Sequence, residues 1–312
     1  MNQMTERIIM DVDTGHDDAV AIDMAAGSAA IKIEGIIATA GNTSLDNALA
    51  NTLNLADALH IDAPVFAGSS GPLLRKQVTA GRIHGENGFS GPVFGKRNKQ
   101  VQNGNFVEFI IDNVLSNPGE ISFVAVGPCT DLAIALKAEP LLASKLKRIV
   151  MMGGSSGMGN VTQSAEFNIY ADPEAAQIVL HCGAPIYMMG LDCTLQTILD
   201  PSIQQRMYAI GGKAIDIFRS SMDFYIRSCL EYIHDYPAMH DPCTIAYLID
   251  PSLFEFTTQA IEVETRGELC YGRTCLMWPD PDSNVHFARK VNAEGFWNTM
   301  AQCFQNLKKK IG

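Results

Sequence analysis

The chain has 312 residues, 47% apolar and 18% charged, enough to bury the core of one large α/β domain or two smaller ones. A formal charge of −11 argues against the basic footprint that nucleic acid or an anionic membrane surface requires, and no apolar run reaches the roughly 18 residues of a membrane span. The eight cysteines form no Cys-x-x-Cys pair and Met1–Arg7 lacks the apolar core of a signal peptide, so a cytoplasmic protein with free thiols is expected.

In chain order, the apolar run Arg7-Ile8-Ile9-Met10 reads as a strand that ends in the octet Asp11-Val12-Asp13-Thr14-Gly15-His16-Asp17-Asp18. Ala19-Val20-Ala21-Ile22 then opens a helix, with Asp17 and Asp18 in its first turn. The helix dipole favours each acid there by only ~0.3–1 kcal/mol, too little to hold four crowded carboxylates, so a bound cation is inferred. Oxygen-only ligands point to Ca²⁺ or Mg²⁺ rather than zinc. A solvated helix start would account for one or two of the acids but not four. An EF-hand loop fails, because Ile22 stands where its bidentate Glu belongs. A haloacid dehalogenase-type phosphohydrolase, with Asp11 as nucleophile and Mg²⁺ as its metal, stays open as the alternative.

A second strand over 31–38 is followed by a helix from about Ser44 to Leu59 and a short strand over 64–68. Residues 69–105 are rich in Gly, Pro and polar groups without periodicity, which marks a functional or mobile segment. A helix over 106–115 leads to strands at 121–127, 148–152 and 185–190, each running into Gly at its carboxyl end. Helix is expected from Pro201 to about Ile233 and from Asp241 to Ile249, strands near 259–266 and 271–278, and a closing helix from Ala293 to about Lys308. Strand-then-helix repetition predicts an α/β fold with an open, mostly parallel central sheet and helices on both faces. Without a linker, composition break or repeat, residues 1–312 read as a single domain.

Two further constellations carry polar chemistry. The Gly-rich stretch 153–160 lacks the Gly-Lys-Ser/Thr of a phosphate loop, yet it leads to Asn160, Glu166 and Asn168, groups suited to paired sugar hydroxyls. His240-Asp241-Pro242 opens a helix. Asp241 as N-cap and Pro242 at the first helical position would be a sufficient structural account of it.

Asp11-x-Asp13-x-Gly15-x-Asp17-Asp18-Ala19, Gly41-Asn42, Ile83-His84-Gly85, Met151-Met152-Gly153-Gly154, Asn160, Ala165-Glu166-Phe167-Asn168, Asp172-Pro173-Glu174-Ala175-Ala176 and His240-Asp241-Pro242 occur together in that order. The set resembles the inosine-uridine preferring nucleoside hydrolases over nearly the whole chain, including their pyrimidine-preferring bacterial members. The resemblance implies calcium-dependent hydrolysis of the N-glycosidic bond of ribonucleosides, a small-molecule substrate and a homotetramer. It implies that Asp13 activates a metal-bound water and that His240 protonates the leaving base. Asp13, Asp18, Asp241 and the carbonyl of Val126 would hold Ca²⁺, with Asp11 supporting Asp13 from behind. Asp17 and Asn168 would take the 2′- and 3′-hydroxyls, Asn160 and Glu166 the 5′-hydroxyl, and Asn42, Met152 and Phe167 would lie in the same ribose pocket. His84, Tyr225 and Cys229 would face the base. Thr14 and His16 depart from the family's usual octet. Cys229 offers no hydroxyl or amide to a base edge, which leaves base preference open. A riboside-binding protein without turnover is a third reading, disfavoured by the proton-transfer pair Asp13 and His240.

Overall fold

Ile8, Met10 and Val12 alternate with Ile9 along the first strand, and each set feeds a different core. That alternation is what a strand covered on both faces must show. In the computed structural model, which describes residues 5–312, this strand lies inside a nine-stranded sheet. Residues 1–4, part of the N-terminal stretch read above for a leader, lie outside the described residues.

The strands are β1 (Glu6–Val12), β2 (Ile31–Ala38), β3 (Val65–Ala67), β4 (Ile121–Ala125), β5 (Arg148–Met152), β6 (Ile186–Met189), β7 (Phe254–Val263), β8 (Thr274–Pro279) and β9 (Val285–Val291). Their order across the sheet is β3-β2-β1-β4-β5-β6-β9-β7-β8. All neighbours from β3 to β9 pair in parallel, and β7 is antiparallel to both β9 and β8. The mostly parallel sheet expected from the sequence is therefore present.

The helices are α1 (His16–Gly27), α2 (Leu45–Ala58), α3 (Gly81–His84), α4 (Phe106–Ser116), α5 (Thr130–Ala138), α6 (Leu142–Lys145), α7 (Phe167–Ala171), α8 (Pro173–Leu180), α9 (Leu191–Thr194), α10 (Pro201–Tyr208), α11 (Lys213–Tyr232), α12 (Pro242–Ile249) and α13 (Ala293–Ile311). α1, α12 and α13 supply the core on the Ile8 and Met10 face, and α4, α5 and α8 supply it on the Ile9 face.

Several boundaries differ from expectation. The helix expected over 201–233 is two helices, because Gly211 and Gly212 take φ of 65° and 95° and turn the chain between α10 and α11. β7 begins five residues before the expected 259, and β8 starts at Thr274 rather than 271. β9 was not expected at all. Its parallel pairing with β6 is a long-range contact that no local pattern announces. The segment 69–105 is irregular as read, apart from the single turn of α3.

The connections from β1 lead towards one edge of the sheet and those from β4 towards the other, so the strand order reverses between them. Ligands of open α/β sheets bind outside the carboxyl ends of the strands at such a point. Asp13, Asn42 and Val126 follow β1, β2 and β4, and Met152 ends β5, so all four arrive there.

Candidate active site

Backbone hydrogen bonds fix this edge. Val126 N–H donates to the Asp11 carbonyl (2.9 Å) and Thr39 N–H to that of Val12 (2.9 Å), holding three strand ends in register. Asp18 closes the turn between β1 and α1, its carboxylate accepting from the backbone N–H of Asp13 (3.0 Å) and Gly15 (2.9 Å). Asn42 completes the frame. Its side chain donates to Asp18 (3.3 Å) and its backbone N–H to Asp13 Oδ2 (2.6 Å). A Cβ on Gly41 would stand 2.0 Å from Asp13 Oδ2, so only glycine leaves room for that carboxylate.

Above the frame opens a cavity of about 460 Å³, within the range of small-ligand sites. Asp17, Asn42, His84, Val126, Met152, Asn160, Glu166, Phe167, Asn168, Tyr225, His240 and Asp241, all predicted from the sequence, line it. Asp13 and Asp18 are fully buried beneath it. Cys229, expected at the base, does not line the cavity but is buried one helical turn beyond Tyr225 on α11. Asp11 is also fully buried and does not line the cavity, and the charge that acts on it most strongly is Asp131, followed by Asp18. A phosphoryl-accepting nucleophile must be reachable, so the dehalogenase-type alternative has no support here.

The acids converge. Asp17, Asp18 and Asp241 each offer an oxygen, and these oxygens lie within 4.8 Å of one another. Asp13 stands beside that group with Oδ1 buried and unpartnered. Asp241 occupies the N-cap of α12 with Pro242 behind it, but its carboxylate makes no capping hydrogen bond. The capping account of this motif therefore fails, and the side chain serves the acidic group instead. Burial lifts Asp17 to about 7, with Asp18 the next cause. Burial also raises Asp13 and Asp241 well above the usual carboxylate range, followed by Asp18 for Asp13 and by Asp17 for Asp241. Among the described residues, none of the ion pairs involves these acids. An uncompensated, dehydrated set of oxygens fits a hard divalent cation, and the lining carbonyl of Val126 adds a neutral donor.

The remaining polar groups are positioned by their own elements. Glu166 caps α7, accepting from the N–H groups of Asn168 (3.0 Å), Ile169 (3.2 Å) and Gly154 (2.9 Å). Asn168 donates to the carbonyls of Val126 (2.6 Å) and Met152 (3.2 Å), tying α7 to the ends of β4 and β5. Asn160 accepts from Phe167 N–H (2.8 Å) and stays exposed at the rim. His240 lines the same cavity with Nδ1 2.7 Å from Thr194 Oγ1, and burial pushes its imidazole down to about 4. His84 is held well below its ordinary value by burial, then by His16 and His240.

The sequence reading missed Thr194, which sits in a helical turn of four residues, and Arg82 and Thr79 of the lining, which lie in the aperiodic segment. Tyr232 and Ile233, at the end of α11, also line the cavity and stand half exposed.

The profile described as inosine-uridine preferring nucleoside hydrolase matches residues 8–298. A pyrimidine-specific ribonucleoside hydrolase, RihB, of Escherichia coli O17:K52:H18 is 40% identical over 307 residues, covering 97% of this chain and 98% of that one. A protein of the same description from Shigella flexneri is 40% identical over 308 residues, with the same coverage. Among solved structures, a purine-preferring ribonucleoside hydrolase from Gardnerella vaginalis superposes with a TM-score of 0.92 at 32% identity, over 98% of this chain and all of that one. The plant nucleoside hydrolase PpNRh1 superposes with a TM-score of 0.88 at 30% identity, over 97% of this chain and 99% of that one.

Proposed function

The chain belongs to the inosine-uridine preferring nucleoside hydrolase family, and from that premise we propose that its Asp13 and His240 cleave ribonucleosides held against a calcium ion. As a ribonucleoside N-ribohydrolase it splits the N-glycosidic bond into free base and ribose. The observation that carries the assignment of residues is the convergence of Asp17, Asp18 and Asp241 within 4.8 Å of one another at a cavity that His240 also lines.

Asp18, Asp241, the Val126 carbonyl and Asp13 would hold the ion, with Asp17 in the same group reaching towards the sugar. When bound, the ion supplies positive charge that grips sugar hydroxyls and makes water easier to deprotonate. Asp13, whose Oδ1 has no protein partner, takes the proton from the attacking water. Asp17 and Asn168 orient the 2′- and 3′-hydroxyls, and Asn160 and Glu166 the 5′-hydroxyl. Asn42, Met152 and Phe167 wall the ribose. Bond breaking leaves positive charge on the sugar, and carboxylates beneath it lower that barrier. In the free protein burial holds His240 at about 4, so its imidazole takes up a proton from solvent before it acts as an acid. Negative charge gathering on the departing base favours that imidazolium, which passes its proton to the base and returns to the neutral ring.

Retention of both proton-transfer residues favours turnover over mere riboside binding. The same reading takes the protein as one domain over residues 1–312, cytoplasmic, and assembled as a homotetramer. The free state of all eight cysteines supports a reducing compartment. Apolar Trp278 and Leu269, exposed on the β7–β8 hairpin, offer surface for subunits to bury. The test is ribose release from uridine, cytidine and inosine, with and without chelator. Release that is abolished by chelator and restored by calcium is expected. Release from none of them with calcium present would end the reading.

A further inference from the structure

His16 follows the turn that carries the acids, yet its side chain points away from them into a cage of rings. The rings of Phe89, Phe224, Tyr225 and His84 surround it, with centroids between 4.9 and 5.7 Å away. Its Nε2 lies 2.9 Å from the Ser90 carbonyl oxygen and its Nδ1 lies 3.1 Å from Nδ1 of His84. A carbonyl oxygen only accepts, so the proton of His16 resides on Nε2. The neutral ring then has a bare Nδ1, and the hydrogen in the contact between the two imidazoles belongs to His84 Nδ1. A doubly protonated His16 would instead bury a cation among aromatic rings with no carboxylate hydrogen-bonded to it. The backbone N–H of His16 also points as a donor at His84 Nδ1, at 3.3 Å, but were that nitrogen bare, two lone pairs would face each other at 3.1 Å across the ring pair with no hydrogen between them, so the shorter contact takes the proton.

The consequence reaches the cavity. With its proton on Nδ1, His84 carries a bare Nε2, and among the described residues that atom has no hydrogen-bond partner and is not sealed from the cavity. His84 lines the cavity, so the free Nε2 faces it. We infer that His16 is a positioning residue that fixes the His84 tautomer, so that the base pocket presents an acceptor at His84 Nε2 and selects nucleobases with an N–H donor on the edge facing it. Uracil N3–H and hypoxanthine N1–H meet that requirement, whereas an N3-methylated uracil does not. The selectivity half of this inference rests on the function proposed above; the tautomer half does not.

The experiment is a long-range ¹H–¹⁵N correlation spectrum of the histidine-labelled, calcium-loaded full-length protein, with the His84 signals assigned by their loss in His84→Gln. A proton on Nδ1 and a bare Nε2 are expected in the wild type. A proton on Nε2 would overturn the inference, whatever the enzyme does with nucleosides. His16→Phe keeps a ring in the cage and removes both nitrogens. It should move His84 towards the other tautomer and cut the preference for uridine over N3-methyluridine, in kcat/KM, by about tenfold, the worth of one hydrogen bond. An unchanged preference would mean that bulk alone excludes the methyl group, and the selectivity claim would fall. Should His16→Phe not fold, the wild-type spectrum still decides the tautomer. If no nucleoside is cleaved while the wild-type tautomer is as expected, it is the proposed function that fails.

Discussion

Thr194 Oγ1 lies 2.7 Å from His240 Nδ1, joining the last residue of α9 to the residue two before the start of α12. Among the described residues the Thr194 hydroxyl has no other partner, so it is free to accept from the Nδ1–H of the imidazolium and leave the Nε2–H directed at the departing base. Thr194→Val keeps the shape and removes the acceptor. The expected result is a fall in kcat of about tenfold on uridine, with a much smaller change on an aryl riboside whose leaving group needs no proton. His240→Ala should lower uridine turnover by roughly 10²–10⁴-fold with the same contrast. Equal losses on both substrates would contradict an acid role for His240.

Asp13 has one oxygen tied to the Asn42 N–H and the other buried without a partner. Asp13→Asn preserves the shape and the tie but removes the base. Turnover should fall at least 10³-fold while calcium-dependent binding of a non-hydrolysed riboside analogue persists, measured by calorimetry. Residual activity near that of the wild type would mean that another group takes the water's proton.

Gly41 contributes no side chain, yet it decides where Asp13 sits. A methyl there would meet Asp13 Oδ2 at 2.0 Å and Pro128 Cδ at 2.7 Å, so the carboxylate must shift by about an ångström. Displacement on that scale at a reacting group costs on the order of 10² in rate. Gly41→Ala is therefore expected to fold and bind calcium while losing about that factor in kcat. Activity within twofold of wild type would show that the Asp13 position is not critical.

What was legible in the sequence follows physical lines. Four carboxylates after an apolar run are costly enough to announce a purpose, and Asp13, Asp17 and Asp18 do stand together. Asp241 was readable only as half of an ambiguous cap, and the missing capping bond in the structure resolves it. Where a feature depends on distant contacts, the chain gave no local sign. Thr194 is one hydroxyl in a short turn, β9 exists because β6 and β7 flank it, and the cage around His16 draws its rings from two distant segments, residues 84–89 and residues 224–225. Cys229 illustrates the reverse error. Its position on α11 was right, but the helix turns it into the core.

Protons and metal compete for the same acids, which gives a pH dependence of definite sign. Asp17 rises from 3.8 to about 7 on folding, chiefly through burial. Between those values the folded chain holds a proton that the unfolded chain releases. The stability this group contributes is complete below pH 3.8 and is lost as pH rises through about 7. Buried neutral histidines act in the opposite direction over part of that window, so the metal-free protein alone is a poor reporter. The difference between calcium-loaded and metal-free protein isolates the ligands, because calcium requires deprotonated carboxylates. The calcium-induced rise in Tm should therefore grow from pH 5 to pH 8, with most of the gain below about pH 7. A rise that is equal or larger at pH 5 would show that Asp13, Asp18 and Asp241, the acids packed against Asp17, do not hold the ion.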